Sequence, residues 1–292
     1  MALLLDGKQI AADLRAELRV VVAAIGAKGH RAPGLAVALV GDDPASAVYV
    51  RGKMKACAEI GIQSFAERLG GNTTTDQLLA IIDQWNRDDR VDGILVQLPL
   101  PRQIDSAKIV ARIAADKDVD GFGAQNLGLL AGGTPRLVAC TPAGVMHMLA
   151  RHTAQTGWEI KGKRALVVGR SITVGRPMAL LLLNADATVT IAHSRTLDLQ
   201  TAVQEAELLI AAAGQRHLIR GQWVREGAVV IDVGIHRDEA GKLTGDVDFD
   251  AAKQRASAIS PVPGGVGPMT IAMLMKNTVD AFRGHIAADK AA

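Results

Sequence analysis

Tyr49 is the only tyrosine of the chain, and Lys53 follows it by four residues in SAVYVRGKMKACAEIGI. In a helix that spacing puts both side chains on one face. A lysine on the inner side of an amphipathic helix loses solvation of its charged form, which lowers its pKa toward the range useful for proton transfer. The plainer account is a packed tyrosine with a lysine stem lying beside it. Gln97 interrupts the apolar run GILVQLPLP. A buried amide there needs a hydrogen-bond partner or costs roughly 1–3 kcal/mol, unless it sits at an exposed edge. Asp118 and Asp120 in KDVDGF are carboxylates that could meet a ligand. Two acids without further ligands nearby make a weak metal set, so no metal is expected, and a turn-forming Asp-Gly would account for Asp120 and Gly121 by itself.

A second group of residues suits a dinucleotide. RALVVGRSITVGRP, residues 164–177, reads as strand, glycine turn and helix, with Gly169 and Gly175 spaced G-x5-G. Such a turn lets phosphates reach the amides and dipole of the next helix, although two glycines in a βα turn serve packing as readily. The end of the following strand carries His193-Ser194-Arg195 where NAD enzymes place an acid for the adenosine ribose. A hydroxyl and a cation suit a 2′-phosphate, and Arg170 adds a second cation. NADP is therefore the expected cofactor. The loop SPVPGGVGPMT, 260–270, has three prolines and three glycines, which resist regular structure and leave amides free to line a ligand.

Alternating patterns frame these residues. Helices are expected at 7–28, 45–60, from the Thr73–Thr75 caps through Trp85, and at 105–115, 142–152, 176–184, 197–206, near 218–224 and at 269–283. Strands are expected at 35–40, 63–69, 93–98, 164–168, 188–192, 207–213 and 228–233. Strands alternating with helices mean βαβ units and mostly parallel sheets in an α/β fold. The Gly-rich stretch 129–135 reads as the domain boundary. The final helix could return to the first domain, dividing the chain into 1–140 plus 280–292 and 141–279.

Composition narrows the classes. A net charge of +3 and 3% aromatic residues argue against nucleic-acid partners. No apolar run is longer than that of Met178–Leu183, which is far short of the ~20 residues that a membrane span needs, and Leu3-Leu4-Leu5 is cut by Asp6 before it makes a secretory segment. No membrane partner is expected, and the location is expected to be cytoplasmic. Cys57 and Cys140 lack metal-ligand spacing, and in a reducing compartment they stay unpaired.

Taken in order, SAVYVRGKMKACAEIGI, DGILVQLPLP, KDVDGF, CTPAGV, VVGRSITVGRP, HSRT, DVGI and PVPGGVGPMT resemble the bifunctional methylenetetrahydrofolate dehydrogenase/methenyltetrahydrofolate cyclohydrolase family over essentially the whole chain. The resemblance implies an N-terminal α/β substrate domain and a Rossmann-like NADP-binding domain with a cleft between them. It further implies a homodimer built through the cofactor domains, tetrahydrofolate one-carbon derivatives as substrates, and a place in purine biosynthesis. It makes Lys53 the acid/base group, Tyr49 a stacking partner of the pterin, Gln97 the support of Lys53, and Asp120 the partner of the amino-pyrimidine edge. Val96 and Leu98 join the substrate site, and Pro263, Gly264, Gly265, Val266 and Gly267 line its mouth. Gly169, Arg170, Ser171, Gly175, Ser194, Arg195, Ile235 and Thr270 are the expected cofactor positions. Gly123-Ala124 stands where the family commonly has His-Pro, and Ala139 where it commonly has Pro. Two alternatives stay open at this point, a monofunctional dehydrogenase and a shikimate-type NADP dehydrogenase.

Overall fold

The computed structural model describes residues 2–238 and 240–289. Its strands are β1 (Leu3–Leu4), β2 (Gly34–Val40), β3 (Gln63–Leu69), β4 (Gly93–Val96), β5 (Arg164–Val168), β6 (Thr188–Ala192), β7 (Leu208–Ala211), β8 (Val229–Asp232), β9 (His236–Arg237), β10 (Leu243–Thr244) and β11 (Ala258–Ile259). The helices are α1 (Gly7–Ala27), α2 (Pro44–Ile60), α3 (Thr75–Arg87), α4 (Ser106–Arg112), α5 (Ala124–Ala131), α6 (Cys140–Thr156), α7 (Gly175–Asn184), α8 (Leu199–Glu205), α9 (Phe249–Lys253) and α10 (Val266–Asp289). Contacts divide the chain into two compact units, residues up to 11 with 141–270, and 12–140 with residues from 271 onward.

The 12–140 unit is built on three parallel strands in the order β3-β2-β4. All seven residues of β2 are buried, as a middle strand covered on both faces must be. Ala36, Ala38 and Val40 share a core with Leu78, Ile82 and Trp85 of α3 and Ile109 of α4. Helix α2 starts after Asp43, whose Oδ2 accepts from Ser46 N at 2.7 Å, and stops at the left-handed Gly61. Helix α3 opens with a reciprocal cap between Thr74 and Gln77. Residues 117–119 run along β4: Ile94 N donates to Lys117 O at 2.8 Å, and Ile94 and Asp118 form a parallel bridge. At the start of the strands, buried Asp92 accepts from Arg31 at 2.6 and 2.8 Å, from Gly34 N at 2.7 Å and from His285 Nδ1 at 2.9 Å. Burial pushes that carboxyl up, but the Arg31 and His285 bonds outweigh it and hold the group below its ordinary value.

The other unit carries six parallel strands in the order β1-β11-β8-β7-β5-β6. Leu166, Val168, Leu209, Ala211, Val230 and Ile259 form one core with Val203, Ile219 and Ala252 from the flanking segments. A small antiparallel hairpin, β9 with β10, is separate from this sheet.

Several segments differ from expectation. Strand β4 ends at Val96, so Gln97 and Leu98 lie beyond it. Helix α10 starts at Val266, which places Val266 and Gly267 in its first turn instead of in the loop. Stretch 129–135 is partly helical, because α5 covers Ala124–Ala131. β1 joins the cofactor-type sheet: Leu3 N donates to Ser257 O at 2.8 Å, Leu5 N to Ile259 O at 2.9 Å, and Lys8 N to Gly264 O at 2.9 Å. Residues up to 11 thus belong with 141–270, and the division near the C-terminus falls at 270/271, not 279/280. Among the described residues no helix is long and apolar enough to cross a membrane. Both cysteines are buried and free.

Candidate active site

In the 12–140 unit, Lys53 is buried and Tyr49 is half exposed, so core packing does not account for the tyrosine. Lys53 Nζ donates to Gln97 Oε1 at 3.0 Å. Gln97 Nε2 donates to Leu98 O at 2.6 Å and Gln97 N to Ala38 O at 2.9 Å. The amide is therefore held at both ends, and its oxygen faces the ammonium. The polar residue inside an apolar run has its partner, and that partner comes from the helix following β2.

Asp118 and Asp120 have different work. Asp118 is buried, and its carboxylate accepts from Gly121 N at 3.1 Å, Gly123 N at 2.8 Å and Asn126 Nδ2 at 3.0 Å. It is a turn-forming group, and it starts α5 where Gly123 has no capping side chain. Asp120 lines a small cavity with Val96, Leu98, Leu100, Phe122 and Asp118 itself. Burial raises the Asp120 carboxyl to about 6; the Lys53 charge pulls it down and Asp118 pushes it up. Burial, and then the Asp120 charge, also raise the Cys140 thiol well above its ordinary value, so Cys140 is no thiolate nucleophile. Lys53, Gln97, Asp120 and Cys140 thus form one electrostatic neighbourhood, which can hold and pass a proton and offer a carboxylate to hydrogen-bond donors. Among the described residues no three His, Cys, Asp or Glu side chains gather as a metal site requires.

In the 141–270 unit a cavity of about 510 Å³ opens beside the end of β5, lined by Gly169, Arg170, Ser171, His193, Ser194 and Ala213 among others. Gly169 has φ +130°, and a Cβ there would stand 2.1 Å from Ala212 O; one at Gly175 would stand 2.2 Å from Gly169 O. Both glycines let strand, turn and helix close on one another. Ser171 Oγ accepts from Val174 N at 3.1 Å and Gly175 N at 3.3 Å, shaping the first turn of α7. Gly175, Arg195, Ile235 and Thr270 lie outside the lining of this cavity. Arg195 is exposed, and its backbone N donates to His193 Nδ1 at 3.1 Å. Ile235 is half exposed, near where a Cβ on Gly267 would be. Thr270 Oγ1 lies 2.9 Å from Thr141 Oγ1. Pro263, Gly264 and Gly265 form the turn that leads into α10, with Val266 and Gly267 on the helix.

Sequence reasoning missed a pair of buried carboxylates in the same unit. Asp246 Oδ2 accepts from Ala213 N at 2.6 Å and Gly214 N at 3.0 Å, and its Oδ1 is 2.7 Å from His236 Nε2. Asp232 accepts from Gly234 N at 2.9 Å, Asp246 N at 3.0 Å and Val247 N at 2.9 Å. Burial raises Asp232 to about 6 against those amides. Together they fasten the turns after β7 and β8 to the segment after β10. The available signal was the aspartate that ends the apolar stretch VVID; Asp246, in TGDV, follows no apolar run and gave none.

Comparisons with known proteins agree with the two-unit α/β fold. Residues 5–120 match the family model described as tetrahydrofolate dehydrogenase/cyclohydrolase, catalytic domain, and 139–286 match its NAD(P)-binding domain. The bifunctional protein FolD of Magnetococcus marinus is 54% identical over 286 residues, spanning 98% of this chain and 99% of its own. Among solved structures, the bifunctional enzyme FolD, a methylenetetrahydrofolate dehydrogenase/cyclohydrolase from Campylobacter jejuni, superposes with a TM-score of 0.94 at 48% identity, covering 98% of this chain and 100% of its own. FolD of Trypanosoma brucei, solved with NADP cofactor and an inhibitor, has a TM-score of 0.91 at 40% identity and covers 98% of each chain. A shikimate-type dehydrogenase is not what these matches describe. With both domain models in order and near-complete coverage, the chain belongs to the tetrahydrofolate dehydrogenase/cyclohydrolase family.

Proposed function

We propose that the chain carries out both family reactions: NADP-dependent oxidation of 5,10-methylenetetrahydrofolate to the 5,10-methenyl cation, then hydrolysis to 10-formyltetrahydrofolate. The observation that carries the reading is the Lys53 Nζ–Gln97 Oε1 bond beside the raised carboxyl of Asp120. A dehydrogenase needs only aligned reactants, whereas hydrolysis needs a proton carrier, and this pair supplies one. The bifunctional relatives at 54% and 55% identity favour the two-step reading over a monofunctional one.

NADP fits the cavity beside β5. Bare backbone at Gly169 and the first turn of α7 suit the pyrophosphate, while Ser194 and Arg170 suit the 2′-phosphate. When bound, NADP supplies the hydride acceptor. The protein does the rest. Tyr49 stacks on the pterin, Val96 and Leu98 flank it, and the Asp120 carboxylate accepts from its amino-pyrimidine edge. Pro263, Gly264, Gly265, Val266 and Gly267 border the substrate, and Gly175, Arg195, Ile235 and Thr270 complete the cofactor set. Lys53, oriented by Gln97 and entering the step as the neutral amine, takes a proton from the water that attacks the methenyl carbon and passes it to the ring nitrogen as the ring carbon–nitrogen bond breaks, the second water proton leaving to solvent. A homodimer through the cofactor units accords with β6, an edge strand with exposed Ile191. The reading also places the enzyme in cytoplasmic one-carbon metabolism that serves purine biosynthesis.

The test supplies 5,10-methylenetetrahydrofolate and NADP and follows NADPH and 10-formyl product together. Both should form in the wild type. Lys53→Met should lose hydrolysis by ~10²–10⁴-fold, the usual worth of general acid/base catalysis, and keep part of its dehydrogenase activity. Near-wild-type hydrolysis in a folded variant removes Lys53 from the mechanism.

A further inference from the structure

Asn277 is buried in α10, within the unit that holds Asp120. A buried side-chain amide is costly unless its hydrogens find acceptors. Both do: Nδ2 donates to Val119 O and to Val138 O at 2.8 Å each, and lies 3.6 Å from Cys140 Sγ. The Val119 carbonyl belongs to the peptide that supplies Asp120's own nitrogen. It accepts a second bond from Cys140 Sγ at 3.3 Å. On the far side of Asp120, Gly121 abuts Val138 so closely that a Cβ would stand 2.5 Å from its carbonyl carbon. The segment carrying Asp120 is thus held against 138–140 by Asn277, and the peptide plane entering Asp120 is fixed by two donors.

We infer that Asn277 is a positioning residue for Asp120, setting the peptide plane from which that carboxylate is aimed at the substrate. The inference rests on the proposed contact between Asp120 and the pterin. Helix packing alone would be served by any apolar side chain of similar volume. The two spent hydrogens, one on each wall of the Asp120 turn, give the amide a more specific task.

A double-mutant cycle tests this, with Asp120→Asn, Asn277→Ala and the double variant, measuring KM for 5,10-methylenetetrahydrofolate, kcat, and NADP affinity by titration. Misplacing a binding group by about 1 Å costs up to ~10²-fold, so Asn277→Ala should raise the folate KM roughly tenfold with NADP affinity unchanged. The double variant should be no worse than Asp120→Asn within about twofold, since a residue acting through Asp120 has nothing left to aim. Losses that multiply overturn the inference and leave the reading of Asp120 intact. A normal folate KM in Asp120→Asn overturns that reading and the inference with it. If Asn277→Ala does not fold, Asn277→Ser, which keeps one donor, takes its place in the cycle and should show the same non-additivity with a smaller loss.

Discussion

In the proposed reading Asp120 accepts hydrogen bonds from the substrate, which it does with both oxygens only when ionised, in a place where ionisation is disfavoured. Burial sets its carboxyl near 6 against an ordinary value of 3.8, so the folded state holds a proton that the unfolded chain has released. A raised carboxyl of this kind leaves stability untouched below about pH 4 and lowers it progressively up to pH 6. Above that the full cost is on the order of 2–3 kcal/mol. Asp120→Asn should therefore raise the unfolding midpoint at pH 7–8, with the gain disappearing near pH 4, while weakening folate binding. In the wild type kcat/KM for folate should climb as pH rises through about 6, and the variant should lose that limb. Asp232 is raised to a similar value, so a limb that survives Asp120→Asn would assign the titration elsewhere. At this scale the sequence was informative where a residue was out of place, as with a glutamine in an apolar run. Asn277 gave no such sign, because MKNTVD reads as ordinary helix and only the carbonyls of two distant loops make its amide necessary.

Arg170 and Ser171, from the turn between β5 and α7, and Ser194, just after β6, line one cavity, while Arg195 lies outside its lining. That separates two arginines which the sequence alone leaves equivalent. Arg170→Ala and Ser194→Ala should each raise KM for NADP roughly tenfold, the scale of one lost charge-assisted bond, and leave KM for NAD nearly unchanged. Arg195→Ala should do much less. Steady-state kinetics with both cofactors check this, and parallel losses for NAD and NADP would mean that the residues only shape the turn. The long elements were legible because their period extends over several turns or a whole strand, as in α1, α3 and β2. Short ones were not. α5 contains Gly128 and starts at a glycine without a side-chain cap. β9, β10 and β11 have two residues each, too few for any alternation to register.

β1 is the clearest case in which only the whole chain explains a part. Leu3 and Leu4 pair with Ala258 and Ile259, a partner some 250 positions away that no local pattern announces. Deleting residues 2–5 would remove the bonds from Ala2 N, Leu3 N and Leu5 N to Lys253, Ser257 and Ile259 carbonyls and the buried Leu5 side chain. At about 1 kcal/mol per bond and roughly 1.5–3 for the leucine, the loss should be about 4.5–6 kcal/mol in denaturant unfolding of the full chain. A loss below about 1 kcal/mol would make the strand ornamental.

Asp232 and Asp246 reach only backbone amides and one imidazole when they fasten the wall beside Ala213. The shape of this cavity is accordingly written in main chain and buried acids, while the residues proposed to read the cofactor, Arg170 and Ser194, are exposed side chains. Frame and reader are separable, so drift or selection at the exposed positions can exchange one dinucleotide for another without reopening the problem of folding. On that reading the heritable freedom of this enzyme lies at the mouth of the cavity, and its intolerance lies in two aspartates spent on backbone amides and one imidazole.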